Sequence, residues 1–350
     1  MKIGKTILNK KQTRFLAEAG VNHNNSIENA EKLIMTASRA GADIIKFQTY
    51  KAEKLVTKKA ERFWNWEGEL IKDGSQYDSY SQLDKFNEPE YKKMKQICDQ
   101  HNIEFMSTPF DIDSVHMLKR LGVNAYKIAS CDITNFQLLK EVSKVKLPIL
   151  LSTGASNIEE IGKALKFLEQ CGMNNNNICI MHCTLCYPTK PEDANLDAIL
   201  DIKKNFPNHL LGLSDHTLGI DVALAASMYE ISIIEKHYTY DKNLQLSADH
   251  WLSIDEDEAK KLVDKLKIFN KSRGHGIKEK LNCESNTHKL ARRSVVANTN
   301  IKSGKVIEEN DIIAKRPGTG IPASEFFNIV GKAAKRDIEE DEIIKYEDIS

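Results

Sequence analysis

No apolar run in the chain approaches the ~18 residues of a membrane-spanning helix. Neither charge is in surplus: 50 Lys and Arg are matched by 50 Asp and Glu. The balance therefore does not point to a polyanion or a lipid surface as a partner. The opening MKIGKTILNKKQTR lacks the long apolar core of a secretion signal. A disulfide framework is missing too, because the seven cysteines form an odd set and Cys179 and Cys183 fall in apolar, strand-like runs. That is the pattern of reduced, buried thiols. The lone CxxC, Cys183-Thr-Leu-Cys186, has no second copy, which argues against a zinc or redox site. These absences leave a cytoplasmic globular protein without nucleic-acid or membrane partners as the expectation.

What is present is one phrase used eight times: a short apolar run that ends in a polar cluster. It occurs at Phe15–Ala17 before Glu18, Asp43–Ile45 before Lys46-Phe47-Gln48, and Ile103–Met106 before Ser107-Thr108. Ala125–Ile128 leads to Ser130-Cys131-Asp132, Pro148–Leu151 to Ser152-Thr153-Gly154, and Ile178–Met181 to His182-Cys183-Thr184. Leu210–Leu213 ends in Ser214-Asp215-His216, and Ile231–Ile234 in Glu235-Lys236-His237. Runs of this length bounded by polar punctuation read as buried strands. Between them lie amphipathic stretches of helical length: Ile27–Ala40, Glu88–His101, Ile112–Leu121, Phe136–Ser143, Ile158–Cys171, Leu196–Asn205 and Ile220–Tyr229. A last helix spans about Asp255 to Lys271, and Ser26 and Asn157 are good N-cap types. Eight β-α units describe a (β/α)8 TIM barrel. The one long gap, Tyr50 to Glu88, carries Phe63, Trp64, Trp66, Tyr77 and Tyr80, and its size fits a lid or an oligomer contact.

In such a barrel the C-terminal ends of the strands form the active-site mouth, where all eight polar clusters fall. Burying so many polar groups costs several kcal/mol unless ligands or partners offset it. His216 and His237 end consecutive parallel strands and would sit side by side. Two such imidazoles are either half of a divalent-metal site or simply hydrogen-bonded strand ends. Glu235 and Asp215 beside them are candidates to orient an imidazole, or to cap neighbouring loops.

The texture changes after Lys271. Residues 1–271 are read as the barrel, 272–288 as a polar linker, and 289–350 as a small β-rich module. Within the module, Asn300–Ile307 (NIKSGKVI) resembles Asp337–Ile344 (DIEEDEII), and each is followed by Asp-Ile. The repeat points to internal pseudo-symmetry.

The motifs, taken in order, resemble the sialic acid synthase family. They are AEAGVNHN at Ala17–Asn24, GADIIKFQT at Gly41–Thr49, STPF at Ser107–Phe110, YKIAS at Tyr126–Ser130 and LSTG at Leu151–Gly154. HCT at His182–Thr184 with YPT at Tyr187–Thr189, GLSDHT at Gly212–Thr217, IEKH at Ile234–His237 and ADH at Ala248–His250 follow. KRPGTGI at Lys315–Ile321 resembles the family's C-terminal SAF (antifreeze-like, β-clip) domain. The resemblance implies condensation of phosphoenolpyruvate with N-acetylmannosamine or a close N-acyl-hexosamine to give N-acetylneuraminate, with release of phosphate. The alternatives within the family are an N,N'-diacetyllegionaminate synthase and a sialic acid 9-phosphate synthase.

The resemblance also implies roles. His216 and His237 would hold a divalent metal, Mn²⁺ with Mg²⁺ or Co²⁺ as alternatives. Lys46, Thr108, Lys127, Ser130, Ser152 and Ser214 would bind phosphoenolpyruvate. Glu18, Gln48, Tyr187 and Asp249 would bind the sugar, together with Arg316 contributed across a domain-swapped homodimer. Glu18 or Asp132 would manage the proton or water of catalysis. Two positions depart from the family pattern: Asp132 stands where Glu is usual, and Leu185 replaces an Asn common near the phosphoenolpyruvate site. Two other readings compete, a metal-dependent aldolase using pyruvate and an ice- or glycan-binding protein built on the C-terminal module.

Overall fold

A computed structural model of the chain describes residues 1–64, 74–247 and 249–350. Trp66 of the aromatic insertion and Ala248 of the ADH motif lie outside these residues. The chain divides into two compact units, Met1–Gly274 and His275–Ser350.

The first unit opens with a hairpin, β1 (Lys2–Ile3) against β2 (Thr6–Ile7). Eight parallel strands follow: β3 (Arg14–Gly20), β4 (Ile44–Thr49), β5 (Glu104–Pro109), β6 (Tyr126–Ile128), β7 (Ile149–Ser152), β8 (Ile178–Cys183), β9 (Leu210–Asp215) and β10 (Ile233–His237). Their order is β5-β4-β3-β10-β9-β8-β7-β6, and the two end strands lie beside each other, so the sheet nearly closes as a TIM-like barrel. The outer helices are α1 (Ile27–Ala40), α2 (Ala52–Leu55), α3 (Gln76–Leu83), α4 (Glu88–Gln100), α5 (Ile112–Leu121), α6 (Phe136–Val145), α7 (Ile158–Gln170), α8 (Ala198–Asn205), α9 (Asp221–Ala226) and α10 (Glu256–Ser272). No helix among the described residues is long and apolar enough to cross a membrane.

Local chemistry explains the helix limits. Ser26 accepts from the Asn29 backbone N–H at the start of α1, and Gly41 closes it at φ +87°, where a β-carbon is disfavoured. Asn157 and Glu160 form a reciprocal cap at the start of α7. The strands extend further into the polar clusters than the apolar runs indicate. β10 continues to His237 because its ladder with β3 continues, pairing His237 with Glu18. Three features escaped the sequence reading. The N-terminal hairpin seals the barrel floor, with Ile3 and Leu8 packed on Leu16, Ile44 and Met106. The insertion contains two helices, α2 and α3. The Ile220–Tyr229 stretch is helical in α9 only to Ala226, then tightens to a 3₁₀ turn at Ser227–Tyr229.

The second unit has a separate core of Val295, Ile301, Ile307, Ile312, Ile321, Ile338, Ile344 and neighbours. Its regular sheet pairs β11 (Ser294–Ala297) with β12 (Ile312–Lys315) antiparallel. Ser285–Ala291 forms a helix, so the stretch expected as linker is helical from Ser285. The repeated phrase folds twice in the same way. Ile301 and Ile338 meet in an antiparallel bridge with reciprocal 2.9 Å hydrogen bonds. Each copy ends in a 3₁₀ turn whose aspartate accepts from the backbone N–H three residues earlier, Asp311 from Glu308 (2.9 Å) and Asp348 from Lys345 (2.8 Å). Each aspartate also pairs with a cation, Lys305 and Arg336 respectively.

Candidate active site

Strand side chains alternate between faces with a period of two. In the first unit the inward set carries an apolar layer at the floor: Leu16, Ile44, Met106, Ala125, Leu150, Cys179, Met181 and Ile233. Two residues further along each strand, the same face turns polar. Leu16 gives way to Glu18, Ile44 to Lys46 and Gln48, Met106 to Thr108, Ala125 to Lys127, and Leu150 to Ser152. Met181 gives way to Cys183, Gly212 to Ser214, and Ile233 to Glu235 and His237. All of these polar residues line one cavity of about 430 Å³.

Two lysines and two carboxylates interlock across the cavity floor. Lys46 Nζ lies 2.5 Å from Glu18 and 3.6 Å from Glu235, and donates to Thr108 Oγ1 at 3.0 Å. Lys127 Nζ donates to Glu235 Oε1 at 3.0 Å, and Ser214 Oγ donates to the same oxygen at 3.3 Å. Taking each ion out of water costs several kcal/mol, so only mutual pairing keeps the set charged. Burial opposes the charged form of Glu235, yet Lys127 and Lys46 outweigh it and pull the carboxyl down to about 2. Burial likewise opposes the Lys46 ammonium, but Glu18 and Glu235 leave its pKa raised. Glu235 Oε2 and Ser152 Oγ are buried without hydrogen-bond partners, and Glu18 Oε2 meets the Lys46 ammonium. The floor is thus charged and buried, with polar atoms still unmatched.

His216 and His237 come together, ring centroids 5.4 Å apart, with the Tyr187 ring 4.0 Å from the first and edge-on at 5.7 Å to the second. His216 Nδ1 donates to the Thr184 carbonyl at 2.9 Å. His237 Nδ1 lies 3.3 Å from Asp249 Oδ2, near enough for an ion pair but outside hydrogen-bond alignment. Burial pushes the His237 imidazolium down, and the Asp249 and Glu18 carboxylates more than restore it. With both Nδ1 atoms facing acceptors, Nε2 is the unshared lone pair on each ring. Among the described residues no group of three or more His, Cys, Asp or Glu is gathered to hold a metal. The pair could still offer a divalent ion two imidazole nitrogens, half of a site.

Asp132 lies in the 3₁₀ turn after β6 and accepts from Asn135 Nδ2 at 3.0 Å. Burial raises its carboxyl above the usual range. Ser130 Oγ accepts from the Gly154 N–H at 2.9 Å, which ties the β6 and β7 mouths together. Gly20, at φ +52°, leaves an opening whose added β-carbon would stand 3.5–3.7 Å from Glu18, Gln48 and Asp249. Those three expected sugar contacts therefore converge. The insertion contributes Leu55, Val56, Phe63, Trp64, Tyr80 and Leu83 to the outer wall of the cavity, with Gln76, Ser79 and Gln82 among them.

Strand alternation decides between the roles left open for Asp215 and Glu235, and Asp215 caps the next loop by accepting from the Thr217 N–H at 2.9 Å. Asp215 and Lys236 point outward, away from the cavity, and pair with each other at 2.8 Å. Asp215 therefore orients no imidazole. Glu235 points inward but serves the lysines. The carboxylate at His237 is Asp249, from a loop, where periodicity carries no signal. Arg316 lies in the second unit, exposed just after β12.

The comparisons agree with both units. The NeuB family model matches residues 33–278, and the SAF domain model matches residues 292–350. The N,N'-diacetyllegionaminic acid synthase of Campylobacter jejuni is 38% identical over 335 residues, covering 96% of this chain and 99% of that one. The N-acetylneuraminate-9-phosphate synthase of Mus musculus is 30% identical over 349 residues, covering 99% and 95%. The crystal structure of N-acetylneuraminic acid synthetase from Leptospira borgpetersenii, in complex with citrate, superposes with a TM-score of 0.72 at 33% identity, covering 82% of this chain and 94% of that one. The chain belongs to the NeuB family of sialic acid and related nonulosonate synthases, with an SAF domain at its C-terminal end.

Proposed function

We propose that the chain condenses phosphoenolpyruvate with a free N-acyl-hexosamine and releases phosphate. The observation that carries this reading is the cavity floor: two buried lysines and four hydroxyls beside two imidazoles, with buried polar atoms left unpaired. Lys46, Thr108, Lys127, Ser130, Ser152 and Ser214 supply point charges and fixed hydroxyl donors for the phosphate and carboxylate. Pyruvate alone would leave much of this set unused, which disfavours the aldolase reading.

C3 of phosphoenolpyruvate attacks the aldehyde carbon of the open-chain sugar. Water adds at C2, and phosphate departs with C–O cleavage. His216 and His237 would hold the divalent cation, Mn²⁺ in our reading, which when bound polarises the aldehyde as a Lewis acid. Glu18, Gln48, Tyr187 and Asp249 orient the sugar around the opening at Gly20. Glu18 is tied to Lys46, whereas Asp132 keeps a raised carboxyl pKa and lies clear of the lysines. Asp132 is therefore the better group to take the proton of the attacking water, with Glu18 aligning the acceptor. The partner subunit's Arg316 reaches the acyl group in a domain-swapped homodimer, a reading supported by its exposure and by exposed Leu185, Leu218 and Trp251. The protein works in the cytoplasm.

Among the described lining residues Lys46 and Lys127 are the only lysine or arginine side chains, and both are tied to the floor. Among the described residues the outer wall adds no cation to match a sugar phosphate, which favours N-acetylmannosamine over its 6-phosphate as the acceptor. A second reading, a 2,4-diacetamido trideoxyhexose leading to diacetyllegionaminate, is favoured by that same wall and by the 38% identity to the Campylobacter enzyme. Phosphate release with phosphoenolpyruvate and each of the three sugars decides. Turnover of the 6-phosphate alone would overturn the free-sugar assignment, and release with none of them would overturn the condensation.

A further inference from the structure

Asp249 is held on a loop that is itself strapped down from both sides. Ser253 donates twice to the Asp249 carbonyl, from N–H at 3.1 Å and from Oγ at 2.6 Å. On the other side, Ser247 Oγ donates to Asn22 Oδ1 at 2.7 Å, and Asn22 Nδ2 donates to the Tyr238 carbonyl at 2.9 Å. His250 adds a relay: Asn24 Nδ2 reaches its Nε2 at 3.3 Å, and its Nδ1 faces Thr239 Oγ1 at 2.8 Å. Thr239 in turn donates to the Asp241 carbonyl at 3.0 Å. The result is that Asp249 Oδ2 stands 3.3 Å from His237 Nδ1.

We propose that Asp249 is a positioning residue for His237, fixing its ring and its Nδ1–H tautomer so that Nε2 is presented to a divalent cation, with His250 fastening the loop that carries it. The proposal rests on the reading of His216 and His237 as the cation pair. It gives the two rings matching arrangements by different means. His216 is fixed by a main-chain carbonyl that mutation cannot remove, and His237 by a side chain that mutation can. A carboxylate in that place also makes the imidazole a better donor to a metal.

The test is Mn²⁺ titration of metal-stripped protein, followed by the signal of free Mn²⁺ in electron paramagnetic resonance. Asp249→Ala is expected to weaken Mn²⁺ roughly 10- to 100-fold. Asp249→Asn, whose amide oxygen can still face Nδ1–H, should recover part of that loss. His250→Ala leaves the carboxylate but frees its loop, and should weaken Mn²⁺ by a smaller factor; it also covers the case in which Asp249→Ala does not fold. The ¹⁵N signals of His237 should show Nδ1–H in the parent and a mixture of tautomers in Asp249→Ala. Unchanged Mn²⁺ affinity in folded variants, with only the sugar KM raised, would make Asp249 a plain sugar contact and overturn the proposal. Failure of the parent protein to bind Mn²⁺ would instead overturn the cation-pair reading, and this inference with it.

Discussion

His23 is packed face to face with Phe86, ring centroids 4.3 Å apart, and its Nε2 is buried without a partner. Burial pushes its pKa down to about 3. Between pH 6.5 and that value the unfolded chain takes up a proton that the folded chain refuses. The stability contribution is therefore complete above about pH 6.5 and is lost as pH falls, by about 1.4 kcal/mol per pH unit. Urea denaturation at pH 7 and pH 5 should show the loss, and His23→Phe should flatten it. Gly20 permits a sharper functional test. A methyl group there enters the opening between Glu18, Gln48 and Asp249, and also strains a φ of +52°. Gly20→Ala is expected to raise the sugar KM several-fold and to cost about 1 kcal/mol of stability, with the KM for phosphoenolpyruvate little changed. At His237 the expectation is harsher. His237→Ala should abolish condensation while the thermal transition stays cooperative, and full activity after chelation of the parent protein would remove the metal from the account.

The elements show where sequence is informative. Ile27–Ala40 and Ile112–Leu121 are helices with the limits their caps and apolar faces announce, because cap and stripe are local signals. Ser26→Ala should cost about 1 kcal/mol by leaving the first turn of α1 uncapped, measurable as a lowered midpoint in denaturant. The strands were legible as apolar runs, but their ends were not. Lys46, Glu235 and His237 belong to the ladder although their composition reads as loop. Inward or outward orientation follows once the ladder is fixed, and this separates Glu235 from Lys236 and Ser214 from Asp215. The β1–β2 hairpin is too short to show a period, and its packing against the floor arises only from long-range contacts. Asp249 was assigned to the sugar, yet its nearness to His237 depends on a loop path that no spacing encodes.

At the scale of the molecule, the proposed swapped dimer makes a prediction that one chain alone cannot satisfy. His237→Ala disables the barrel of its own chain, while Arg316→Ala disables the contribution of its own SAF domain. Each homodimer should be inactive. After mixing and subunit exchange, heterodimers should regain up to about half of the parental activity per dimer, because one of the two sites pairs an intact barrel with an intact arginine. No recovery despite verified exchange would place both residues in the same chain's site. The layered barrel carries a further consequence. Anchor and tool sit two positions apart on one stave, so swapping a side chain retunes chemistry while leaving the keel untouched. Deleting a single residue inside a strand does something else: it turns the grease toward the substrate and the charges toward the helices. Substitution at a mouth position therefore alters the chemistry without moving the strand that carries it, whereas a change in strand length moves both.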